Sequence, residues 1–227
     1  GERYRVTGVL GSDHRNTPAA QLEPRGPADQ VVAPAGEVSI AEARSLPGET
    51  VTVTGTVSRR IGWSGGDDNV AIQDETAGIF VFGFGDIPAL DPGDVIRVEG
   101  TVGDFNGEVQ IDPASITVVS TGGSAPTPIA VTGAQLNQGL FQGQLVTYSG
   151  TATVVEEFND FGTAELVVTD ASGTGARVFV DNRSGLAFAD FSVGQELVIV
   201  GVPGFFDGND PGGQLEVIID TDVTFVN

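Results

Sequence analysis

The stretch GDVIRVEGTV at residues 93–102 alternates branched apolar side chains with polar ones, and GETVTVTGTV at 48–57 does the same. Between them, IQDETAGIFV at 72–81 contains two short apolar runs joined by a polar turn at 75–77. A period of two is typical of strands that bury one face, and the turn residues between the runs are those that join strands. The centre of the chain is therefore predicted to be all-β.

The same region gives a strand order. A helical turn at Ile40–Leu46 leads into a long strand at Thr50–Arg60. Two strands, a crossover without strand pattern, a fourth strand and a closing strand are predicted to follow, at 70–74, 78–84, 86–92, 95–102 and up to 119. Five strands with a crossover between the third and the fourth is the order of a small Greek-key barrel, the OB-fold.

This pattern occurs a second time. SIAEARSLPGETVTVTGTV at 39–57 matches VTGAQLNQGLFQGQLVTYSGTATV at 131–154, and ALDPGDVIRVEGTV at 89–102 matches ADFSVGQELVIVGV at 189–202. Units of this size are domains, not solenoid repeats. We predict two tandem OB-like barrels at 37–120 and 129–227, joined by a Pro/Gly/Ser/Thr-rich linker at 121–128.

The first 33 residues repeat only the end of such a unit. YRVTGVLG at 4–11 resembles IRVEGTVG at 96–103 and LVIVGVPG at 197–204, and each copy ends in a closing apolar pair. A partial repeat of two strands exposes unpaired strand edges. It is a fragment of a longer array, a docking arm, or a strand donated to a neighbour. We expect Tyr4, Val6, Val9 and Leu10 to be buried against another molecule.

The segments at 48–57, 72–81 and 93–100 closely resemble tandem bacterial OB-fold domains of the nucleic-acid-binding superfamily. The resemblance covers 37–120 well, 129–227 less well, and the first 33 residues as a tail. Such domains accompany secreted multidomain proteins and nucleases, so the resemblance implies an exported protein. It identifies the fold more firmly than an activity.

Composition narrows the function. The net charge is −21, all ten basic residues are arginine, and the chain has no Cys, no Lys, no Met and one His. Four arginines offset four acids in the first 33 residues, so the two repeats carry the whole negative charge. Such a surface repels phosphate backbones. The missing methionine and signal peptide suggest a processed or internal piece, and no apolar stretch is long enough for a transmembrane segment.

Catalytic signatures are few. The single histidine, His14, lies in a turn of the tail, and the chain has no Cys or Lys. The residues that usually form a nucleophile-and-base pair are therefore almost absent. We predict no enzyme activity and no cofactor. Calcium is a possible ligand, because acids cluster with Asn and Gly at 67–69, 104–108, 156–160 and 207–212. The same residues are common in tight turns, and Pro211 departs from the EF-hand pattern.

The aromatic signal is sharper. In the predicted strand 78–84, Ile79 and Val81 share one face while Phe80, Phe82 and Phe84 share the other. The matching strand of the last repeat is apolar on the first face only, so the phenylalanine face is predicted to point outward, unless the register slips by one and these are core residues. Arg59, Arg60 and Trp63 lie near the same end. Arginine with aromatics suits base stacking, and it equally suits a protein interface.

Two functions remain. One is a non-catalytic extracellular or cell-surface structural protein that self-assembles end to end through its N-terminal arm by strand complementation, as a homo-oligomer or polymer that forms a filament or surface array. The other is an accessory nucleic-acid or ligand-binding OB-fold module of a secreted nuclease. A nucleic-acid partner is disfavoured, because no basic stripe accompanies Arg59 and Arg60.

Overall fold

The structure is a computed structural model of the chain. It describes four short N-terminal strands and then residues 36–60, 69–83, 87–158, 163–217 and 220–226. Two compact units are present, Gly1–Glu37 and Val38–Asn227. None of the helices among these residues has the length and apolar character needed to cross a membrane.

The N-terminal unit contains four strands where two were predicted. They are β1 (Tyr4–Val6), β2 (Val9–Ser12), β3 (Ala20–Glu23) and β4 (Gln30–Val32). β1 pairs antiparallel with β4 and β2 with β3, so each predicted strand is interrupted. Pro24 and Pro27 stand between the two halves of the second run, and proline cannot donate to a strand ladder. The segment is a broken hairpin.

A short helix precedes the first barrel. α1 spans Ile40–Ala43, and the Ser39 side chain at its N-cap accepts a hydrogen bond from the backbone N–H of Glu42 at 3.2 Å. Ile40 and Ala43 are fully buried in the core of the first barrel. The helix therefore closes one end of that barrel.

Residues 50–120 form a closed five-stranded barrel. Its strands are β5 (Thr50–Arg60), β6 (Asn69–Gln73), β7 (Gly78–Phe82), β8 (Val95–Phe105) and β9 (Glu108–Ser120). Their order around the barrel is β5-β6-β7-β9-β8, and β7 runs parallel to β9. This is the OB-fold strand order predicted from the sequence.

Alternation along the strands builds the barrel core. On β8, Ile96 and Val98 are buried, whereas Glu99 between Val98 and the next inward position is exposed. Val53 of β5 lies directly opposite Val98 on the same inner face. The period-two pattern of the sequence thus becomes an apolar interior with a charged exterior.

The predicted crossover between the third and fourth strands has no helix in its described residues, 87–94. Ile87 and Leu90 pack into the barrel core. Asp94 accepts hydrogen bonds from the backbone N–H groups of Asp91 at 2.9 Å and Gly122 at 3.0 Å. This side chain therefore fixes the start of the 121–128 linker to the barrel.

The second half is a seven-stranded sheet that curls into a ring-like arrangement. Its elements are β10 (Ile129–Ala130), α2 (Gly133–Asn137), β11 (Val146–Glu157), β12 (Ala164–Thr169), β13 (Gly175–Val180), β14 (Glu196–Phe205), β15 (Gly213–Val217) and β16 (Val223–Val226), with short 3₁₀ helices at Asn182–Ser184, Phe188–Asp190 and Asp220–Asp222. Strand order is β10-β11-β12-β13-β15-β14-β16, with an additional β11–β14 pairing. The fold is thus mostly β, with one closed barrel and one ring-like sheet.

The N-terminal hairpin has the pairing of the end of this sheet. β14 pairs with β15 through its second half and with β16 through its first half. β1 and β2 make the corresponding pairings with β4 and β3. In the N-terminal unit no described strand corresponds to β11, β12 or β13.

Candidate ligand-binding cleft

The two β halves of the larger unit meet along a buried apolar seam. Phe80 of β7 and Ala71 of β6 contact Leu145 and Val202 of the second half, and all four side chains are buried. Phe80 alternates with Ile79 and Val81, which face the core of their own barrel. The outward face of β7 is therefore used to hold the halves together.

Buried polar groups in the seam are paired. The backbone N–H of Leu145 donates to Oε1 of Gln73 at 2.8 Å, and Ser58 Oγ donates to the same oxygen at 3.0 Å. Ser58 Oγ also lies 3.2 Å from the carbonyl oxygen of Gly143. Because these partners come from both halves, separating the halves would expose or orphan them.

The backbones approach closely at Gly78. A Cβ atom at this position would lie 2.4 Å from the backbone of Gly143 and Gln144. No side chain fits at that separation, so glycine is required by the packing of one half on the other.

Beside the seam, the two halves enclose a cleft of about 820 Å³. Six phenylalanines line it: Phe82, Phe105, Phe158, Phe179, Phe205 and Phe206. Its polar lining residues are Asn69, Glu108, Gln110, Asp112, Glu165, Arg177, Asn209 and Gln214. Both halves supply aromatic and polar groups, so the cleft exists only where they are packed together.

Aromatic pairs shape the walls. Phe105 and Phe206, from different halves, have ring centroids 6.4 Å apart at an angle of 51°, and Phe158 meets Phe179 edge-on at 5.0 Å. Phe105 remains 58% exposed and Phe158 56% exposed. Large exposed aromatics concentrated at one concave site are typical of a binding surface.

A pair of carboxyl groups lies at the junction of the seam and the cleft. A Cβ atom at Gly204 would lie 2.8 Å from Oε2 of Glu108 and 3.7 Å from Oε1 of Glu216. Burial raises the pKa of Glu108 to about 7, although its carboxylate accepts a hydrogen bond from the backbone N–H of Phe205 and faces the charge of Arg44. Burial raises the pKa of Glu216 to about 8, against the hydrogen bond donated by Gln214. These groups take up protons near neutral pH.

The remaining charges leave the cleft acidic. Arg177 pairs with Glu165, with 3.2 Å between Nε and Oε1. Across the described lining residues, three carboxyl side chains and one guanidinium are present, including the exposed Asp112. An anionic ligand would therefore meet like charge.

One acceptor in the lining is unsatisfied. Asn69 is only 2% exposed, and its Oδ1 has no hydrogen-bond partner among the described residues. Buried polar atoms are almost always paired, so this oxygen, like Oδ1 of Asn137, is an exception among the described residues.

Three sequence-predicted site residues lie in the described part. Phe82 is half-buried and lines the cleft, whereas Phe80 is 2% exposed and contacts the second half of the same chain. Arg59 forms an ion pair with Asp222, with 2.6 Å between NH2 and Oδ1. Phe80 is therefore buried in the seam, and Arg59 is held by its ion pair with Asp222 of the second half. Phe82 lines the cleft.

The side chains of the other predicted residues lie outside what the structure describes. Trp63 and Phe84 belong to 61–68 and 84–86, and only the backbone of Arg60 is described, at the end of β5. The arm residues Tyr4 and Val6 are in β1, and Val9 and Leu10 in β2, without described side chains.

The candidate calcium loops are only partly described, because Asp67, Asp68, Asn159 and Asp160 lie outside the described residues. Within the described residues, no group of three or more His, Cys, Asp or Glu side chains could hold a metal ion. The loop at 207–212 is instead organised by its backbone, since Phe206 N–H donates to the Gly212 carbonyl at 2.7 Å and Asp207 N–H to the Asn106 carbonyl at 2.7 Å. It packs on the β8–β9 turn and brings Asn209 to the cleft.

Sequence reasoning missed most of the cleft. Phe105, Phe158, Phe205, Phe206 and Phe179 were not predicted as site residues. A signal was available: GDF at 103–105 ends β8 and GFF at 204–206 lies at the end of β14, at equivalent positions of the two repeats. An aromatic at the same strand end in both copies indicates a shared exposed feature.

No protein-family model matches the chain, and no curated protein matches it. Three solved structures illustrate what it resembles. The hypothetical protein ygiW from E. coli is 26% identical over 38% of this chain and 94% of that chain, with a TM-score of 0.32. The p204 HINb domain is 16% identical over 76% of this chain and 95% of that chain, with a TM-score of 0.36.

The third is a replication protein A heterotrimer bound to ssDNA, which is 10% identical over 93% of this chain and 74% of that chain, with a TM-score of 0.31. The similarity is one of fold and carries no ligand with it. The chain has OB-fold structural similarity to ygiW, HIN domains and replication protein A.

Proposed function

We propose that this chain is a non-catalytic binding protein that takes a ligand into the cleft between its two β halves. The carrying observation is the cleft of about 820 Å³ with six phenylalanines from both halves. Its size falls in the range of about 300–1,000 Å³ that small-molecule sites occupy. We leave catalysis out of the proposal because the chain has no Cys, no Lys and one His.

The ring-like sheet of the second half resembles the first barrel in its strand order. We infer that the ring-like sheet is a second OB-type barrel, because β11 to β15 repeat the order of β5 to β9 and the β11–β14 pairing has its counterpart in β5–β8. The chain would then be a tandem of bacterial OB-fold modules, of the kind that accompanies secreted nucleases. Its acidic cleft argues for a ligand other than nucleic acid.

Ligand-observed NMR with a library of apolar ring fragments tests the binding function. The double variant Phe105→Ala/Phe158→Ala removes two walls that are more than half exposed, so the fold should survive. Fragments are expected to bind the unaltered chain and lose binding in this variant. Val193→Ala is the control, since this side chain is 68% exposed and lies outside the cleft. Equal binding to all three proteins would refute the site.

We propose, as a second function, that the chain is an extracellular or cell-surface subunit that assembles end to end through its N-terminal arm. The supporting observation is a hairpin of four short strands, forming its own compact unit, in which no described strand corresponds to β11, β12 or β13. Isolated two-stranded ladders are marginal in water. Strand addition from a neighbouring copy would pair their free edges.

Electron microscopy and light scattering of concentrated protein test this assembly. A chain without residues 1–33 should keep the circular dichroism and unfolding midpoint of the larger unit and lose all assembly. A full-length chain with Tyr4, Val6, Val9 and Leu10 changed to serine is the matched control for length. Normal assembly of the shortened chain would rule the arm out.

A further inference from the structure

The lining of the cleft selects a particular ligand chemistry. The proposal that follows rests on the binding function above and concerns which ligand class the cleft accepts. We propose that the cleft binds an organic cation, an ammonium or guanidinium group carried on an apolar body.

Charge is the first reason. In the lining, the charge of Arg177 is offset by its ion pair with Glu165, and Glu108 faces Arg44, so the exposed Asp112 leaves the cleft with a net negative charge. A cation entering the cleft would be attracted by Asp112 and, where it is ionised, by Glu108, whereas a carboxylate or phosphate would be repelled. The overall charge of −21 reinforces this selection at longer range.

The aromatic walls are the second reason. Phenylalanine rings present a negative face, which attracts a cation placed within about 6 Å of the ring centroid. Phe82 and Phe179 occupy equivalent strand positions on the two halves, and the tilted rings of Phe105 and Phe206, one from each half, contact each other. A cation in the cleft would lie against exposed rings from both halves, Phe105 and Phe158, and its apolar body would cover their exposed surfaces.

The unsatisfied acceptor is the third reason. Oδ1 of Asn69 is buried without a partner among the described residues, and Asn69 lines the same cleft. A ligand N–H donor would satisfy this oxygen if the lining beside Asn69 shifts to admit it, which a quaternary or aprotic group would not do. The lining therefore combines carboxylates, ring faces and one orphan acceptor, all of which favour a protonated nitrogen.

The volume sets the size of the ligand. A cleft of about 820 Å³ is far larger than a hydrated metal ion needs, and the described residues hold no cluster suited to one. It accommodates a cationic head together with a ring or branched chain.

Three probes with the same apolar body separate the possibilities by isothermal titration calorimetry. They are 4-tert-butylbenzylamine, the neutral 4-tert-butylbenzyl alcohol and the anionic 4-tert-butylbenzoate. The measurement is made at pH 8, above the raised pKa of Glu108 of about 7. The amine is expected to bind at least about tenfold more tightly than the alcohol, with no detectable binding of the benzoate.

Two outcomes overturn the proposal differently. Equal affinity for amine and alcohol would refute the cation preference and leave the binding function standing. If neither these probes nor the apolar fragments bind, both the cation preference and the binding function are wrong.

Variants locate the effect. Glu108→Gln should weaken the amine about tenfold and leave the alcohol unchanged. Asp112→Asn should also weaken the amine, and because Asp112 is exposed this change should not impair folding. Glu99→Gln, an exposed carboxylate on β8 outside the lining, is the control. If Glu108→Gln and Asp112→Asn bind the amine like this control, the proposed recognition is wrong.

Discussion

The seam and the cleft are built from the same kind of surface and differ in what covers it. Phe80 and Phe82 are two residues apart on one face of β7, yet Phe80 is closed off by Leu145 and Val202 while Phe82 lines an open cleft. The seam buries its apolar area within the chain. The cleft leaves the rings of Phe105 and Phe158 more than half exposed and has carboxylates in its lining. An outward aromatic stripe can therefore join two halves at one end and offer a ligand surface at the other.

The largest expected effect is at Phe80. Truncation by Phe80→Ala should lower the free energy of unfolding by about 3 kcal/mol, because it removes a fully buried ring from the seam. Phe82→Ala, the matched change on the cleft side, should cost less than about 1 kcal/mol. Urea denaturation measures both. If the two variants were equally stable, the distinction between seam and cleft would fail.

The glycine at the seam gives a second comparison. Gly78→Ala should cost about 2 kcal/mol, since its Cβ would meet backbone atoms of the second half at 2.4 Å and the halves would have to shift. Gly103→Ala is the control, because nothing lies within 4 Å of its Cβ position. Similar unfolding midpoints for the two variants would contradict the close approach.

The carboxyl pair makes stability depend on pH. Glu216 has a pKa of about 8 in the fold against an ordinary value of 4.5, so its protonated form is favoured on folding. Its contribution is complete below about pH 4.5 and is lost as the pH rises through about 8. Glu108, Asp181 and Arg183 are the charged groups that face it.

Glu216→Gln keeps the neutral form at every pH. It should raise the free energy of unfolding at pH 9 by more than about 1 kcal/mol relative to the unaltered chain, with little change at pH 5. Urea denaturation at the two pH values measures this, and the exposed Glu99→Gln serves as control. A parallel pH dependence in variant and unaltered chain would show that Glu216 does not titrate in this range.

The smallest expected effect is on nucleic acid. Fluorescence anisotropy with a labelled single-stranded oligonucleotide should show no low-micromolar binding at physiological salt, because the chain carries a charge of −21 and an acidic cleft. Low-micromolar affinity that Arg60→Ala and Trp63→Ala abolish would instead favour a nucleic-acid face near the end of β5.

Sequence reasoning reached the all-β class and the closed first barrel, but only part of the site. The alternation in GDVIRVEGTV at 93–102 predicted β8, and the two copies predicted the inward face of β7 and β13. The sequence-based prediction joined the four short N-terminal strands into two, because an alternation of period two does not reveal where strand pairing is interrupted. It also missed Phe158 and Phe206, which lie in irregular segments where no periodicity indicates direction.

By itself, the sequence determined the repeated strand order, the acidic composition and the outward direction of Phe80 and Phe82. These follow from local rules, since successive side chains of a strand point to opposite faces whatever the rest of the molecule does. Only the tertiary structure decided that Phe80 is buried, that Phe105 meets Phe206, and that the carboxyl groups of Glu108 and Glu216 both lie beside Gly204. Those outcomes depend on how one half packs against the other, and no local pattern encodes the distance between residues that lie a hundred positions apart.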